Sequence, residues 1–368
     1  MKILFTIPTL TYSGAPKMMS WVANQMAKLG HDIKIVAYFS NECAVKLEPG
    51  VEFHSLGLSR SENRFIRNTI GMVKAVYRLD KYMKEQKPDV FVSFLDSVGM
   101  VYLPIAKKRC LTISSERADP YSYKKDTLKA RISLMKKVDK MVFQTDGARD
   151  YFKDIPEIYS KSVVIPNPVV LKDYVQTLRK DIPKFSEREN KIVTVGRLSL
   201  KQKRQDILID AFEIVHQEHP ELHLVIYGDG QDKEKIQKII DDKGLSKFIS
   251  LAGRVTNVEQ LIFNAKAFVL TSDYEGIPNA LIEAMSIGVP AVSTNCSPGG
   301  AALLIKDGVN GFLVSCGDAH AVAEKISKIV GDSDISEKIS QNATSIVDDF
   351  SESVIADKWE AYFRKNSM

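Results

Sequence analysis

The feature that most limits the fold is a regular alternation of short β-branched runs with apolar-periodic helical segments. It begins with a strand-like run at residues 2–7, a helix at 16–29 and a second strand at 33–39, and it recurs to about residue 165. A strand, a glycine-containing turn, a helix and a second strand form a βαβ unit, and repeated units predict a parallel sheet covered by helices. The alternation restarts at residue 192 and continues to a short strand at 312–314.

Between the two alternating regions, residues 166–190 lose their periodicity and contain Pro166, Pro168 and Pro183. Because proline interrupts helices and strands, this segment indicates a linker. A chain of 368 residues is also longer than one hydrophobic core usually supports. We therefore predict an α/β protein of two Rossmann-like doubly wound domains facing a central cleft, residues 1–165 and 166–351, with a final helix at about 352–365 that packs back on the first domain.

Composition narrows the class of protein. With 44% hydrophobic and 26% charged residues, the chain has the composition of a globular protein. No run of eighteen apolar residues occurs, and the N-terminal run indicates a buried strand rather than a signal peptide. The four cysteines form no Cys-x-x-Cys pair and no cluster with histidine, so we expect reduced thiols in the cytoplasm rather than disulfides or a zinc site. They are Cys43, Cys110, Cys296 and Cys316.

Positive charge is concentrated in the first half. Residues 1–165 carry 27 Lys and Arg against 17 Asp and Glu, although the net charge of the whole chain is only +5. Two basic segments, 60–87 and 124–140, are either ordinary solvated helix faces or a surface that attaches peripherally to an anionic membrane on its cytosolic side. No basic groove with interleaved aromatic residues and no known module indicates nucleic acid.

The segment most informative about chemistry is residues 271–290, TSDYEGIPNALIEAMSIGVP. Glu275 and Glu283 are separated by seven residues, Pro278 stands where a helix would begin, and Gly288 stands where it would end. The free N–H groups and the positive dipole end of such a helix favour an anion. Carboxylates beside it would accept hydrogen bonds from hydroxyl groups. A phosphate next to a polyol is the description of a sugar nucleotide.

A second candidate motif is Gly196-Arg197-Leu198, followed by Lys203, directly after a predicted strand and before a helix. An arginine fork and a mobile lysine at the carboxyl end of a strand suit a diphosphate. Either motif alone is also typical of solvated surface. Their occurrence in order within one predicted domain favours a shared site.

These stretches resemble one family. Residues 191–315 are similar to the donor domain of the family 4 glycosyltransferases, which are retaining enzymes of GT-B fold. The similarity rests on VGRLSLKQKRQDILIDAF (195–212), YGDGQD (227–232), LAGRVTNV (251–258), the 271–285 segment and KDGVNGFLV (306–314), and more weakly on residues 14–33 and 164–169. It covers essentially the whole chain, and it implies that residues 1–165 serve the acceptor and residues 166–351 bind the donor.

The resemblance implies roles for particular residues. Arg197 and Lys203 match the family's pair on the donor diphosphate, and with Glu275, near the anomeric centre, they form the implied catalytic set. Glu283 matches the glutamate that accepts hydrogen bonds from the ribose. The other implied donor contacts are the backbone of Gly14 beside the reacting sugar, Arg254 and Val255 beside the base, and the backbone of Gly276, Ile277, Pro278 and Asn279 beside the sugar and phosphate.

The first predicted domain departs from the family at two places. Its first turn, residues 13–16, reads SGAP where relatives often have Gly-Gly-Ala-Glu. After the strand predicted at 110–114, many relatives have a histidine that reaches the donor sugar. Here Glu116-Arg117 resembles a subgroup that carries this pair. One interpretation of Glu116-Arg117 is a turn with a helix cap. The other is that the pair contacts the acceptor, as we also expect for Ser13.

The predicted donor domain departs at Ala302 and Leu303, where relatives often show Arg-Glu, and the consequence for donor binding stays open. The resemblance also implies that no metal is needed, because enzymes of GT-B fold generally act without one, and the chain has no Asp-x-Asp at the end of a predicted strand. The one such triplet, Asp332-Ser333-Asp334, lies between predicted C-terminal helices and indicates a helix cap. We therefore expect no metal and no cofactor other than the nucleoside-diphosphate sugar co-substrate.

Retention of anomeric configuration requires either two inversions through a carboxylate or attack from the face that the leaving group occupies. Because the role that the resemblance gives Glu275 is contact with a hydroxyl group, we favour same-face attack. The leaving diphosphate oxygen then takes the proton of the acceptor.

We predict a hexosyltransferase that moves a hexose or N-acetylhexosamine from a nucleoside-diphosphate sugar, with uridine as the nucleoside, to a glycan or lipid-linked saccharide in cell-surface polysaccharide or glycoconjugate synthesis. The alternatives are a sugar-nucleotide epimerase on the same fold and a non-catalytic nucleotide-sugar binding module. Residue types do not identify the donor sugar, because loop geometry reads hydroxyl stereochemistry. Nor do they identify the acceptor, the linkage or the oligomeric state.

Overall fold

The computed structural model describes residues 1–10, 14–39, 43–58, 70–94, 97–117 and 119–367. The chain divides into two compact units, residues 1–167 with 353–368 and residues 168–352. Each unit is built on its own parallel sheet.

The first unit contains seven strands. They are β1 (Lys2–Ile7), β2 (Asp32–Ala37), β3 (Val51–Ser55), β4 (Val90–Phe94), β5 (Leu111–Ser115), β6 (Lys140–Phe143) and β7 (Ser162–Val164). In the sheet they follow the order β3-β2-β1-β4-β5-β6-β7, and each described pairing is parallel. The described helices between them are α1 (Gly14–Lys28), α2 (Ile70–Gln86), α3 (Ser97–Ala106), α4 (Lys125–Met135), α5 (Asp146–Asp150) and α6 (Pro156–Tyr159).

The second unit contains six strands, β8 (Glu189–Val195), β9 (His223–Tyr227), β10 (Ile249–Gly253), β11 (Ala265–Leu270), β12 (Ala291–Thr294) and β13 (Phe312–Val314). They follow the order β10-β9-β8-β11-β12-β13. The helices are α7 (Asp173–Leu178), α8 (Gln205–Glu218), α9 (Lys233–Asp242), α10 (Val258–Ile262), α11 (Asn279–Ser286), α12 (Gly300–Leu304), α13 (Ala319–Gly331), α14 (Ser333–Ala343), α15 (Ile346–Asp349) and α16 (Glu352–Ser367), the last of which belongs to the first unit from Ser353 onward.

Both sheets have the same strand order, third-second-first-fourth-fifth-sixth, which is that of a doubly wound Rossmann sheet. The prediction of two Rossmann-like doubly wound domains is confirmed. In each sheet the order reverses between the first and fourth strands, β1 and β4 in one and β8 and β11 in the other. Ligands of this fold class bind outside the carboxyl ends of the strands at such a point.

Burial follows the alternation of side chains along the strands. In β11, Val269 belongs to one core cluster and Phe268 to another, because successive side chains of a strand point to opposite faces. In the first unit, α16 places Phe363 edge-on to Phe5 of β1, with ring centroids 6.4 Å apart. The last helix therefore packs on the first sheet.

The predicted linker is more ordered than its prolines indicated. Residues 166–190 contain α7 and two 3₁₀ turns, Arg179–Asp181 and Phe185–Glu187. Val175 is buried in the core, and Arg188, also buried, donates hydrogen bonds to the carbonyls of Phe263, Ala265 and Gly288. The segment is thus part of the second unit. The helix cap predicted at Asp332 is confirmed, since its carboxylate accepts hydrogen bonds from the N–H groups of residues 334 and 335.

Candidate active site

The two charged motifs meet at the switch point of the second sheet. β8 ends at Val195, two residues before Arg197, and β11 ends at Leu270, directly before the loop that carries Glu275. These two strands are parallel neighbours, so their carboxyl ends lie at the same edge of the sheet. The topology therefore brings both motifs to the place where this fold class binds ligands.

The central contact of the site is an ion pair between Lys203 Nζ and Glu275 Oε1. Both side chains are largely shielded from water, with exposed fractions of 16% and 12%. The same carboxylate oxygen accepts a hydrogen bond of 2.9 Å from Ser272 Oγ, and Ser272 itself is fully buried. The lysine is therefore partly neutralised, and the glutamate is fixed by two donors.

Several hydrogen bonds connect the loop that carries Lys203 with the loop that carries Glu275. Gln202 donates to the carbonyl of Tyr274 at 3.2 Å, and its own carbonyl accepts the N–H of Asp273 at 2.9 Å. Thr271 Oγ1 donates to the carbonyls of Lys203 and Arg204 at 3.0 and 2.9 Å. These bonds set the position of Lys203 relative to the loop of Glu275.

Helix α11 begins beside Glu275 without a side-chain cap. Pro278 precedes it in an extended conformation, and its side chain accepts no hydrogen bond from the N–H groups of the first turn. The N-terminal end of α11 thus presents its dipole to the loop 275–278. Gly300 packs directly against that loop. Only glycine fits here, because a Cβ at this position would lie 1.6 Å from the carbonyl oxygen of Gly276. Glu283, half-buried, lies on the second turn of α11.

A cavity of about 530 Å³ opens at the same sheet edge, beyond β8, β9 and β10. Its floor depends on Gly228, whose φ is 140° and whose Cβ, if present, would lie 1.8 Å from the carbonyl oxygen of Gly196. Gln205 holds the adjoining loop by donating to the carbonyl of Arg197 at 2.9 Å. The volume is within the range of ligand pockets. The lining includes the exposed Arg197 and Arg254, with Val255, Tyr227 and Asp229.

The residues predicted in the first unit have a different setting. Gly14 is the first residue of α1, and Ser13 lies outside the described residues. Glu116 follows β5 and is buried, with its carboxylate accepting from Arg131 Nη2 at 2.5 Å and from the hydroxyl of Tyr123 at 3.0 Å. The structure thus places Glu116 inside a polar network of its own unit.

Arg117 is also buried, at 8% exposure, with its guanidinium 5.0 Å from the ring centroid of Phe94 and 5.6 Å from that of Trp359. It donates to Asn167 Oδ1 at 3.2 Å, whereas its Nε and Nη2 have no hydrogen-bond partner among the described residues. Burial lowers the pKa of this guanidinium to about 9. Its burial and its contacts with the rings of Phe94 and Trp359 make Arg117 part of the core beneath α16.

Sequence reasoning missed the residues that hold the charged pair in place. Ser272, Gln202 and Arg204 form hydrogen bonds within and between the two loops. Hydrophobic periodicity in the sequence does not predict such bonds. Arg204 stands in the basic run KQKR, which has the composition of solvated surface. Only the cross-loop pairing, between residues about seventy positions apart, distinguishes these side chains.

The described ranges contain no group of three or more His, Cys, Asp and Glu side chains arranged to hold a metal ion. Within the same ranges, no helix combines the length and the apolar character needed to cross a bilayer.

Comparison with known proteins agrees with this architecture. Residues 175–346 match the family model described as glycosyl transferases group 1. An α-1,4-N-acetyl-D-galactosaminyltransferase of Campylobacter jejuni, named for GalNAc-α-(1→4)-GalNAc-α-(1→3)-diNAcBac-PP-undecaprenol, is 30% identical over 363 residues, 98% of this chain and 97% of that protein. Among solved structures, the lipopolysaccharide outer core galactosyltransferase WaaB in its apo form superposes with a TM-score of 0.78 at 22% identity, over 99% of this chain and all of that one. HepE from Anabaena, in complex with UDP, gives 0.77 at 19% identity, over 99% of this chain and 100% of that chain.

The comparisons thus show a glycosyltransferase of GT-B fold, and the predicted enzyme class is confirmed. The chain belongs to the group 1 glycosyltransferases, a membership that the full-length similarity to the Campylobacter jejuni enzyme establishes.

Proposed function

We propose that this glycosyltransferase moves a hexose or N-acetylhexosamine, with retention, from a UDP-sugar to a glycan or lipid-linked saccharide in cell-surface polysaccharide or glycoconjugate synthesis. The observation that carries the proposal is the Lys203–Glu275 pair, which lies at the start of α11 and on the same sheet edge as the cavity of Arg197 and Arg254. The UDP held by HepE and the PP-undecaprenol-linked saccharide in the name of the Campylobacter jejuni enzyme support the choice of donor and acceptor.

The proposed donor lies with its base against Arg254 and Val255 and its ribose hydroxyls on Glu283. Its diphosphate lies between Arg197 and Lys203, beside the uncapped start of α11. The backbone of residues 276–279 contacts the sugar and the phosphate. When the donor binds, its phosphate would replace Glu275 as the partner of Lys203. The Glu275 carboxylate would then be released toward the sugar hydroxyls. In the first unit, Gly14, Ser13, Glu116 and Arg117 stay predictions.

Catalysis in this proposal is chiefly electrostatic. As the bond between the anomeric carbon and the diphosphate oxygen breaks, negative charge grows on that oxygen, and Arg197 and Lys203 stabilise it without needing to reorganise. Loss of one such preorganised donor typically costs about 10²–10³ in rate. No cofactor is required for this role, because two cations and a helix dipole already face the leaving group.

For the stereochemical course we propose same-face attack. The acceptor oxygen bonds to the anomeric carbon on the side that the diphosphate leaves, and the acceptor's proton passes to the departing diphosphate oxygen. Glu275 suits contact with hydroxyls better than nucleophilic attack, because the hydrogen bond from Ser272 still holds one of its oxygens after Lys203 turns to the diphosphate. Detection of a glycosylated Glu275 by mass spectrometry, after incubation with donor alone, would contradict this course.

The function is tested by incubating the full chain with UDP-glucose, UDP-galactose, UDP-GlcNAc and UDP-GalNAc, each with and without a polyprenyl-diphosphate saccharide. We expect one donor to release UDP with transfer of its sugar, and Lys203→Ala to abolish most of that release. Isomerisation of the sugar nucleotide without net transfer would identify an epimerase. Binding without either reaction would identify a non-catalytic module.

We further propose that the enzyme acts in the cytoplasm, attached peripherally to the cytosolic face of the membrane. Helix α2 exposes Val73 and Tyr77, at 69% and 71%, next to the exposed Lys74 and Lys81. Residues 60–69 of the basic segment lie outside the described residues. Part of the predicted basic surface is engaged internally, since Arg131 pairs with Glu116. Absence of co-sedimentation with phosphatidylglycerol vesicles at low salt would refute the attachment.

A further inference from the structure

Arg204 combines an unfavourable backbone conformation with a fully engaged side chain. Its φ of 48° and ψ of 49° lie in the left-handed region. Glycine adopts this conformation without a steric cost, whereas the Cβ of any other residue crowds the following carbonyl. Among the described residues, only Lys87 and Asn257 share this property without being glycine. A residue persists in such a conformation where the surrounding structure determines it, often at a functional site.

The guanidinium of Arg204 bridges two carboxylates. Its Nε and Nη2 donate to Asp206, with distances of 3.0 to 3.2 Å, and its Nη1 donates to both oxygens of Asp273 at 3.3 and 3.1 Å. Hydrogen bonds to Asp206 and then to Asp273 raise the pKa of Arg204 above its ordinary value. Each of the three guanidinium nitrogens thus donates to a carboxylate, so Arg204 is held by Asp206 and Asp273 although it follows Lys203 directly.

Its two partners belong to different elements. Asp206 lies in the first turn of α8, which Arg204 precedes, and Asp273 lies in the loop after β11, two residues before Glu275. The bridge therefore ties the start of α8 to the loop of Glu275. Lys203 lies between this bridge and the contact of Gln202 with Tyr274. A lysine could not reproduce the bridge, because an ammonium group is a single point charge without a planar fork.

We propose that Arg204 is a positioning residue of the transfer reaction, which fixes Lys203 against the diphosphate by bridging Asp206 and Asp273. This inference rests on the proposed function, in which Lys203 contacts the diphosphate. Arg204 does not itself touch the donor. Its removal displaces the lysine and the loop of Glu275 without unfolding the second unit.

The test measures the equilibrium affinities of the full chain for UDP and for uridine by NMR titration. Uridine lacks the diphosphate, so the ratio of the two affinities reports how well the phosphates are held. Arg204→Gly removes the guanidinium and leaves a residue that suits the backbone. We expect it to weaken UDP binding about 10-fold, below the 10²-fold that a misplacement of about 1 Å can cost, and to leave uridine binding unchanged. Asp273→Asn should act in the same direction, and Arg204→Lys should not restore affinity.

Lys87→Gly is the matched control, since Lys87 has the same φ of 48° but lies in the first unit. It should alter neither affinity. Lys203→Ala separates the two hypotheses. If it leaves UDP binding unchanged, the proposed diphosphate contact is wrong and the positioning role is wrong with it. If Lys203→Ala weakens UDP binding but Arg204→Gly does not, only the positioning role is wrong. Coupling is expected between the two changes, so the double variant should bind UDP no worse than Lys203→Ala alone, and additive losses would contradict the proposal.

Discussion

The two units share one strand order but use the charged residues after their strands in opposite ways. In the second unit, Lys203 and Glu275 pair at the carboxyl edge of the sheet and keep a small exposed fraction. In the first unit, Glu116 follows β5 with its carboxylate fully buried, and only its partner Arg131 keeps an exposed fraction, of 15%. The contrast therefore lies in the two carboxylates. A carboxylate that keeps contact with water can exchange its partner for a ligand, whereas a fully buried carboxylate is closed off from one.

The difference follows from where the charges stand in each sheet. Lys203 and Glu275 follow the first and fourth strands of their sheet, the two that flank the switch point. Glu116 and Arg117 follow the fifth strand, where α16 and the segment at residues 165–167 surround Arg117. The charges that we propose to bind the donor thus lie at the switch point of their sheet, whereas Glu116 and Arg117 lie away from the switch point of theirs.

The largest effect is expected from Glu116→Ala. Breaking an ion pair at a fully buried carboxylate typically costs about 3–5 kcal/mol. Arg131 and the Tyr123 hydroxyl would lose the hydrogen bonds that they donate to this carboxylate. Urea unfolding at pH 7 measures the loss. Glu157→Ala, which breaks an exposed pair with Lys136 in the same unit, should leave stability unchanged. Equal effects of the two variants would remove the contrast between buried and exposed pairs.

Lys203→Ala should reverse this pattern, with a large loss of activity and little loss of stability. We expect kcat/KM to fall about 10²–10³-fold, because a donor to the leaving diphosphate is lost. Thermal unfolding should stay near that of the parent chain. Lys201→Ala, two residues away and exposed, is the control that should change neither quantity. A comparable loss in Lys201→Ala would indicate that the loop contributes general positive charge rather than one positioned lysine.

A smaller and more selective effect is expected from Glu275 and Glu283, the two glutamates of the segment at residues 271–290. Glu283→Ala should mainly raise KM for the donor, since it removes contacts made equally in the ground state and the transition state. Glu275→Ala should mainly lower kcat, because it acts beside the anomeric centre. Steady-state kinetics with the preferred UDP-sugar separates the two parameters. Equal changes of both parameters in both variants would refute this division of roles.

Much of the fold could be predicted from the sequence because hydrophobic periodicity is local. The strand at 2–7 and the strand at 312–314 were predicted to the residue. Proline misled the interpretation of residues 166–190, since the burial of Val175 and Arg188 depends on contacts with distant elements. Short helices such as α12 were missed because one turn of helix shows no periodicity.

The candidate site was predictable only as far as motifs extend. Arg197, Lys203 and Glu275 were indicated by their places after strands, and the topology brings those strands together. Sequence could not distinguish Glu116 from Glu275, because both are acidic residues in a loop after a strand. Their difference arises from what packs over them. The same reason hid Arg204, whose partner in the other loop is 69 positions away.

The smallest expected effect compares a structural lysine with Lys203. Lys161, in the first unit, donates to the carbonyls of Lys136 and Val138 at 3.0 and 2.5 Å rather than to a carboxylate. Burial, and then the nearby charge of Lys107, lowers its pKa from 10.5 to about 8. Between pH 8 and 10.5 the unfolded chain therefore binds more protons at this site than the folded chain, so the contribution of Lys161 to stability rises with pH across that window. Lys161→Met should flatten the rise by about 1 kcal/mol or less, given its partial exposure, in urea unfolding at pH 8 and pH 10. A steeper rise in the variant would show that Lys161 is stabilised as a cation, in the manner of Lys203, and that the contrast between the two lysines is mistaken.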